Sequence, residues 1–202
     1  ATTEWVLFAD GAVAASGAVA IGGRHFTSDL AAMLKTTTVA AEHTKRQVGC
    51  STTREGLDGQ AVEVPALGGD GNQGPPASFV AEVLVERTRD LFINIHGALA
   101  NEGLDRAPRA GVVLTGGGAL LEGVEEEAEA IFGHRARVGT PRALAGLTEP
   151  VSGPEWAVAC GLIRVQHRRQ GQVITATQHR SGIFTWLRNA LGDFFELGGG
   201  HD

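Results

Sequence analysis

Three consecutive glycines, Gly116, Gly117 and Gly118, are the residues of this 202-residue sequence whose type and spacing best suit ligand chemistry. They follow an apolar, β-branched run at 111–114 that is typical of a buried parallel strand, and they precede a pattern that predicts a helix over 119–132. Because glycine has no Cβ, a planar or anionic ligand can approach such a turn closely and face the positive end of the helix. Tight packing of the strand against the helix is the alternative explanation.

Other arrangements of reactive side chains are weaker. Glu42 and Lys45 lie three residues apart in a predicted helix over 39–48, a spacing typical of a surface ion pair. The seven histidines lack metal-ligand spacing, and no Ser/His/Asp or Cys/His set can be assembled. The glycines do not form the dinucleotide motif either, because G-x-G-x-x-G would need glycine where Leu121 stands. The sequence therefore predicts no catalytic residues and no metal site.

Composition and charge argue against several classes of protein. The net charge of −6 argues against a general nucleic-acid binder, although residues 164–192 contain five arginines and no acid. Cys50 and Cys160 are far apart in sequence and suggest free thiols in a reducing cytosol. No run of 18 apolar residues is present, so the sequence predicts no membrane-spanning segment.

The elements that must position these residues alternate between strands and helices, which is typical of an α/β layer fold. Asp10-Gly11 separates two strand patterns and predicts a hairpin. Thr27 or Ser28 is expected to cap the first helix, and Gly49 to end the second. The remaining predictions are a strand at 61–64, a loop at 68–76, a helix at 77–100, a strand at 135–138 and a helix at 154–166.

The C-terminal end of the chain differs from the rest. Residues 166–181 are polar and basic and predict a flexible linker, and residues 182–197 have helical periodicity. One half of that helix is apolar and carries the residues Ile183, Phe184, Trp186, Leu187, Leu191, Phe194 and Phe195. Its aromatic face, the linker and the upstream arginines favour an amphipathic helix that lies in the membrane interface. The alternatives are docking on the protein's own surface and pairing with a partner helix.

Several segments of the sequence resemble the same protein family. The segment L-T-G-G-G-A-L-L-E-G at 114–123 resembles the adenosine-binding turn of the actin-like ATPases, and it is most similar to the FtsA family of bacterial division proteins. Further similar phrases follow in the family's order at 19–30, 41–50, 81–87, 137–141, 146–148 and 154–162. None of the chain resembles the N-terminal half of an actin-like protein. Because the sequence begins at Ala1 without methionine, we expect a fragment or an incomplete sequence.

The resemblance implies a fold and its division into parts. It implies the C-terminal half of an actin-like (RNase H-like) α/β fold, with one lobe at 1–22 and 108–165 and an inserted subdomain at 23–107. Gly116, Gly117, Gly118, Glu42 and Lys45 match residues that bind the nucleotide in the family. ATP, together with Mg²⁺, would therefore bind this chain weakly or not at all, since most phosphate-binding loops belong to the other half. Any ATPase activity would be vestigial.

The resemblance also implies partners. FtsA tethers the FtsZ polymer to the cytoplasmic face of the cell membrane at the division site, as a peripheral protein that self-associates and helps recruit later division proteins. Arg87 matches a family residue near the partner and self-association surfaces, although it could be an ordinary solvated arginine. The alternatives are a fragment of a phosphotransferase of the sugar-kinase type, which shares the adenosine turn, and a remnant without function.

Overall fold

The chain combines helices and strands, as the sequence predicts, with strands or helices in adjacent pairs up to residue 73 and in alternation after it. The computed structural model describes residues 2–49, 57–68, 71–104, 110–141 and 151–169. The elements are β1 (Thr3–Ala9), β2 (Ala12–Val19), α1 (Gly23–Met33), α2 (Thr38–Val48), β3 (Val64–Pro65), β4 (Asn72–Gln73), α3 (Ala77–Asn101), β5 (Val112–Leu114), α4 (Val124–Phe132), β6 (Ala136–Val138) and α5 (Ala157–Arg169). Single 3₁₀ turns lie at Leu57–Gly59, Gly117–Leu120 and Pro154–Trp156. Within the described ranges the strands form three two-stranded sheets.

The predicted N-terminal hairpin is confirmed. Strands β1 and β2 pair antiparallel from Thr3↔Val19 to Ala9↔Ala12. Asp10 and Gly11 occupy the turn with φ of 51° and 77°, a backbone conformation that suits aspartate and glycine. Local sequence chemistry therefore determines this element.

The first helix begins earlier than expected. Helix α1 starts at Gly23 after Gly22, so the predicted cap at Thr27 or Ser28 is wrong. Thr27 lies inside the helix, where its hydroxyl is 3.0 Å from the carbonyl oxygen of Gly23, one turn back. Helix α2 matches the prediction, because it ends at Gly49, which has a φ of 71°.

Helix α3 is the central element of the core. Its buried face includes Val80, Leu84, Val85 and Thr88, and it packs against α1, α2, β2 and α4. Near its C-terminal end, Phe92 meets Phe132 of α4 edge-to-face with ring centroids 5.7 Å apart. The same hydrophobic cluster includes residues from 1–22, 23–107 and 108–165, so the core is continuous across the predicted boundary.

The region between α2 and α3 contains less strand structure than expected. Of the predicted strand at 61–64, only Val64 belongs to β3, which pairs with β4, whereas Ala61 makes one isolated bridge to Pro76. Strand β4 lies within the segment that was predicted to be a loop. Both strands have only two residues, too few to produce a clear alternating pattern.

Strands β5 and β6 are parallel, as expected for strands separated by a helix. The outer edge of β6 is covered by two side chains of α4. Glu129 accepts a hydrogen bond from the amide of Ala136 at 2.9 Å, and Glu125 accepts one from the amide of Val138 at 2.6 Å. These carboxylates satisfy the edge amides that a neighbouring strand would otherwise pair with.

The helix predicted over 119–132 is only partly correct. The glycines lead into the 3₁₀ turn, and α4 begins at Val124, after Gly123 adopts a left-handed φ of 85°. That conformation interrupts the helical backbone, so the N-terminus of α4 does not directly follow the glycines.

The C-terminal end of the described structure is helical. Helix α5 continues to Arg169, so the first four residues of the predicted linker at 166–181 are helical. The rest of that linker and the predicted amphipathic helix at 182–197 lie outside the described residues. Among the helices that the structure describes, none is both long and apolar enough to cross a membrane.

Candidate functional site

The glycine turn (Gly116, Gly117 and Gly118) presents bare backbone. Among the described residues, a Cβ placed on any of the three would meet no atom within 4 Å outside the adjacent residues. Gly116 has φ 85° and ψ 177°, a combination that is essentially restricted to glycine. The backbone therefore requires glycine at Gly116, whereas at Gly117 and Gly118 the described residues leave the position of a side chain unoccupied.

Two neighbouring segments hold the turn in place. The amide of Gly139 donates to the carbonyl of Leu114 at 2.7 Å, and the amide of Gly116 donates to the carbonyl of Pro154 at 2.9 Å. The hydroxyl of Thr115 donates to the carbonyl of Gly139 at 2.8 Å. The role of Thr115 was not predicted, because the sequence does not indicate which carbonyls lie near it.

Glu42 and Lys45 do form the ion pair that their spacing predicts, but not as an exposed surface pair. Lys45 is buried, and its Nζ lies 2.6 Å from Oε2 of Glu42, 2.9 Å from Oγ1 of Thr27 and 3.2 Å from the carbonyl oxygen of Gly23. The other carboxylate oxygen of Glu42 accepts a hydrogen bond from Arg46 at 2.9 Å. This network ties α2 to the first turns of α1.

The network changes the electrostatics of Glu42. Partial burial alone would raise the pKa of its carboxyl group, but hydrogen bonds from Lys45, Thr27 and Arg46 outweigh that effect. The pKa therefore falls from 4.5 to about 2. Glu42 is a carboxylate at neutral pH, and its oxygens are already engaged by protein donors.

The structure brings helix α2 close to the glycine turn through its C-terminal end. A Cβ placed on Gly49 would lie only 2.9 Å from Cβ of Glu122, which follows the 3₁₀ turn after the glycines. Lys45 is one helical turn before Gly49, whose amide donates to the Lys45 carbonyl. No hydrogen bond within the described residues joins Glu42 or Lys45 to the glycine turn. Their predicted nucleotide-binding role stays a prediction.

A separate cleft of about 440 Å³ lies on another side of α2. Its walls come from α2, the segment 57–63 and the start of α3, and its polar lining residues are His43, Gln47, Gln60 and Glu63. None of the three glycines lines this cleft, so its volume says nothing about the glycine turn. Among the described residues, no group of three His, Cys, Asp or Glu side chains is arranged to hold a metal ion.

Arg87, the predicted partner contact, is not a free arginine. Its Nε donates to Oδ2 of Asp29 on α1 at 2.5 Å, and Nη1 lies 3.5 Å from Oδ2 of Asp90. The hydrogen bond with Asp29 raises the pKa of the guanidinium above its ordinary value. With 28% of its side chain exposed, Arg87 can still contact a partner while it links α3 to α1.

Comparison with known proteins gives a consistent family match. The family model described as cell division protein FtsA matches residues 1–161. FtsA of Pseudomonas aeruginosa is 32% identical over 169 residues, which cover 84% of this chain and 40% of that protein. FtsA of Neisseria meningitidis serogroup B is 32% identical over 203 residues, which cover 94% of this chain and 49% of that protein. The chain thus spans less than half the length of these curated relatives.

The fold also resembles solved structures of an actin-like protein. MreB5 of Spiroplasma citri bound to ADP matches 85% of this chain and 53% of its own with a TM-score of 0.59 at 16% identity. The same protein bound to AMPPNP matches 84% and 51% with a TM-score of 0.64 at 15% identity. At these identities the likeness concerns the fold alone, and it confirms the expected actin-like α/β class.

Proposed function

Because the chain belongs to the FtsA family of cell division proteins and corresponds to its C-terminal half, we propose that it is an adaptor that tethers the FtsZ polymer to the membrane. The family match over residues 1–161 is the observation that carries this proposal. In this role the protein lies at the cytoplasmic face of the membrane at the division site, self-associates and helps recruit later division proteins. The relatives are named as division proteins and not as enzymes, which favours an adaptor over a phosphotransferase.

The membrane side of the adaptor rests on the sequence of residues 182–197. Burying the seven large apolar side chains of that helix in a membrane interface would contribute on the order of 10 kcal/mol. Helix formation and the loss of free translation offset much of this gain. Upstream arginines favour an anionic surface by about 1 kcal/mol each, whereas Asp193 and Glu196 oppose it. We expect reversible binding, strengthened when several copies sit on one polymer.

The nucleotide side of the proposal rests on the glycine turn. Its bare backbone fits the close approach of the flat adenine ring of adenosine, with Glu42 and Lys45 as the candidate residues on α2. Mg²⁺ would bind together with ATP, as the ion that accompanies its phosphates. Since the resemblance places the phosphate-binding loops in the other half of the family's fold, we expect affinity in the micromolar range at best.

Vesicle flotation tests the membrane side. The chain should float with vesicles that contain anionic lipid, and Trp186→Glu should stay in the soluble fraction because it places a charge in the apolar face. Asn189→Glu is the matched control, since it adds the same charge to the opposite, polar face. If Trp186→Glu floats as well as Asn189→Glu, the helix does not insert, and the tether proposal fails.

Recruitment of FtsZ polymers to the same vesicles tests the partner side. The ion pair between Arg87 and Asp29 determines the choice of variant. Arg87→Glu alone would place two carboxylates side by side and disturb α1. The better variant exchanges the two charges, Asp29→Arg with Arg87→Asp, and so keeps a bridge between α1 and α3. Loss of FtsZ recruitment in this exchange, with folding and flotation unchanged, supports a contact at Arg87. Normal recruitment assigns Arg87 to structure alone.

A further inference from the structure

Thr115 stands between the last residue of β5 and the first glycine of the turn. The residue is exposed, yet its hydroxyl is used inside the protein. It donates to the carbonyl of Gly139 at 2.8 Å and lies 3.3 Å from the carbonyl oxygen of Pro154. Gly139 and Pro154 are both buried, so the hydroxyl links the edge of the turn to two buried segments.

The carbonyl of Pro154 is a shared acceptor. It accepts the amide of Gly116 at 2.9 Å, and it also accepts the amide of Ala157, with which α5 begins. These two donors occupy the two lone pairs of that oxygen. The single hydroxyl hydrogen of Thr115 therefore belongs to Gly139, and its contact with Pro154 is secondary.

We infer that Thr115 is a positioning residue that holds the glycine turn against the 3₁₀ turn Pro154–Trp156, which leads into α5. Its hydroxyl anchors the turn to the segment after β6, and this anchor keeps the Gly116 amide in line with the Pro154 carbonyl. Removing the hydroxyl should loosen the turn and the start of α5 together. If the turn binds adenosine, as proposed above, ligand binding and the order of α5 are then coupled, and each favours the other.

Hydrogen exchange followed by mass spectrometry tests the positioning role on the full chain. Thr115→Val keeps the shape of the side chain and removes the donor, whereas Thr115→Ser keeps the donor and removes the methyl group. We expect Thr115→Val to raise exchange rates in both 114–121 and 154–160 by roughly two- to tenfold, the factor of one net hydrogen bond. Thr115→Ser should stay within about twofold of the parent by the same measure.

The core of α3 serves as the internal control. Exchange in 80–95 should be the same in all three proteins, because the hydroxyl of Thr115 bonds to Gly139 and Pro154, which lie outside that helix. The inference is overturned if Thr115→Val changes neither segment, if it changes 114–121 without 154–160, or if Thr115→Ser behaves like Thr115→Val. A general loss of protection that includes 80–95 in both variants would also overturn it, since Thr115 would then support the fold as a whole.

The coupling between nucleotide binding and the order of α5 rests on the proposed function and is measured separately. Titration with Mg²⁺-ATP up to millimolar concentration should show weaker binding by Thr115→Val than by the parent and normal binding by Thr115→Ser. If the parent chain shows no binding, the nucleotide part of the proposed function fails for this chain, while the exchange experiment still decides the positioning role.

Discussion

Replacing Lys45 by methionine tests the structural role of the Glu42–Lys45 pair. Methionine has a similar length but no charge, so it removes three contacts of the ammonium, those with Glu42, Thr27 and the carbonyl of Gly23. Lys45 is 8% exposed, which means that little water can replace these contacts. The variant should fold with a lower free energy of unfolding.

The expected loss of unfolding free energy depends on how deeply Lys45 and Glu42 are buried. Breaking a fully buried ion pair costs about 3–5 kcal/mol. Here the Glu42 side chain is 36% exposed and keeps its bond with Arg46, so the expected loss at pH 7 is smaller, about 2 kcal/mol. For a chain of this size that loss lowers the melting temperature by about 4–8 °C.

The pH dependence has a definite sign. The pKa of Glu42 is about 2 in the folded protein against 4.5 for an ordinary glutamate, so its contribution to stability is present above pH 4.5. That contribution is lost as the pH falls from 4.5 towards 2, because the carboxylate must be protonated. The stability difference between the parent and Lys45→Met should therefore shrink over this interval.

Chemical denaturation at several pH values measures this difference, and Arg46→Gln is the matched control. Arg46 contacts the same carboxylate, but its side chain is 76% exposed, so its loss should cost less than about 0.5 kcal/mol. If Lys45→Met is no less stable than Arg46→Gln, the buried network does not stabilise the contact between α1 and α2. A difference that grows towards pH 2 would contradict the assignment to Glu42.

Two further predictions concern the glycine turn and the strand edge. Gly116→Ala should lower the free energy of unfolding by about 1–3 kcal/mol because of its φ of 85° and ψ of 177°. Gly117→Ala should leave it unchanged, since the added Cβ meets no atom of the described residues within 4 Å, and equal melting temperatures for the two variants would refute this. Glu129→Ala should lower the free energy of unfolding by about 1 kcal/mol, because the amide of Ala136 loses its acceptor. Chemical denaturation measures this loss, with Glu126→Ala at an exposed position of the same helix as the control, and equal losses in the two variants would show that water replaces the carboxylate.

The sequence alone was sufficient where short-range chemistry determines the backbone. Asp10-Gly11 indicated the hairpin turn because few residues accept a positive φ, and Gly49 marked the end of α2 for the same reason. The apolar periodicity of α3 predicted a long helix because that pattern records which side of the helix is buried. The phrase at 114–123 led to the family, which the match over residues 1–161 confirmed.

Local patterns were less reliable at the starts of α1 and α4, where Gly22 and Gly123 determine the first helical residue. Residues 119–132 have helical periodicity, but Gly123 takes a left-handed conformation and delays the start of α4. The predicted cap at Thr27 failed because the backbone at Gly22 already begins the helix, which leaves the Thr27 hydroxyl for Glu42 and Lys45. A threonine serves equally well in either role, and only its neighbours in space decide between them.

The sequence by itself thus determined the family, the α/β class and the elements whose backbone follows from nearby residues. Only the tertiary structure decided which polar groups meet across long separations: Arg87 with Asp29 over 58 residues, Thr115 with Gly139 over 24, and Lys45 with Thr27 over 18. Periodicity records burial and backbone preference, but it contains no information about the partner of a buried donor. That partner is set by how the helices and strands pack, because packing decides which donors and acceptors come within hydrogen-bonding distance.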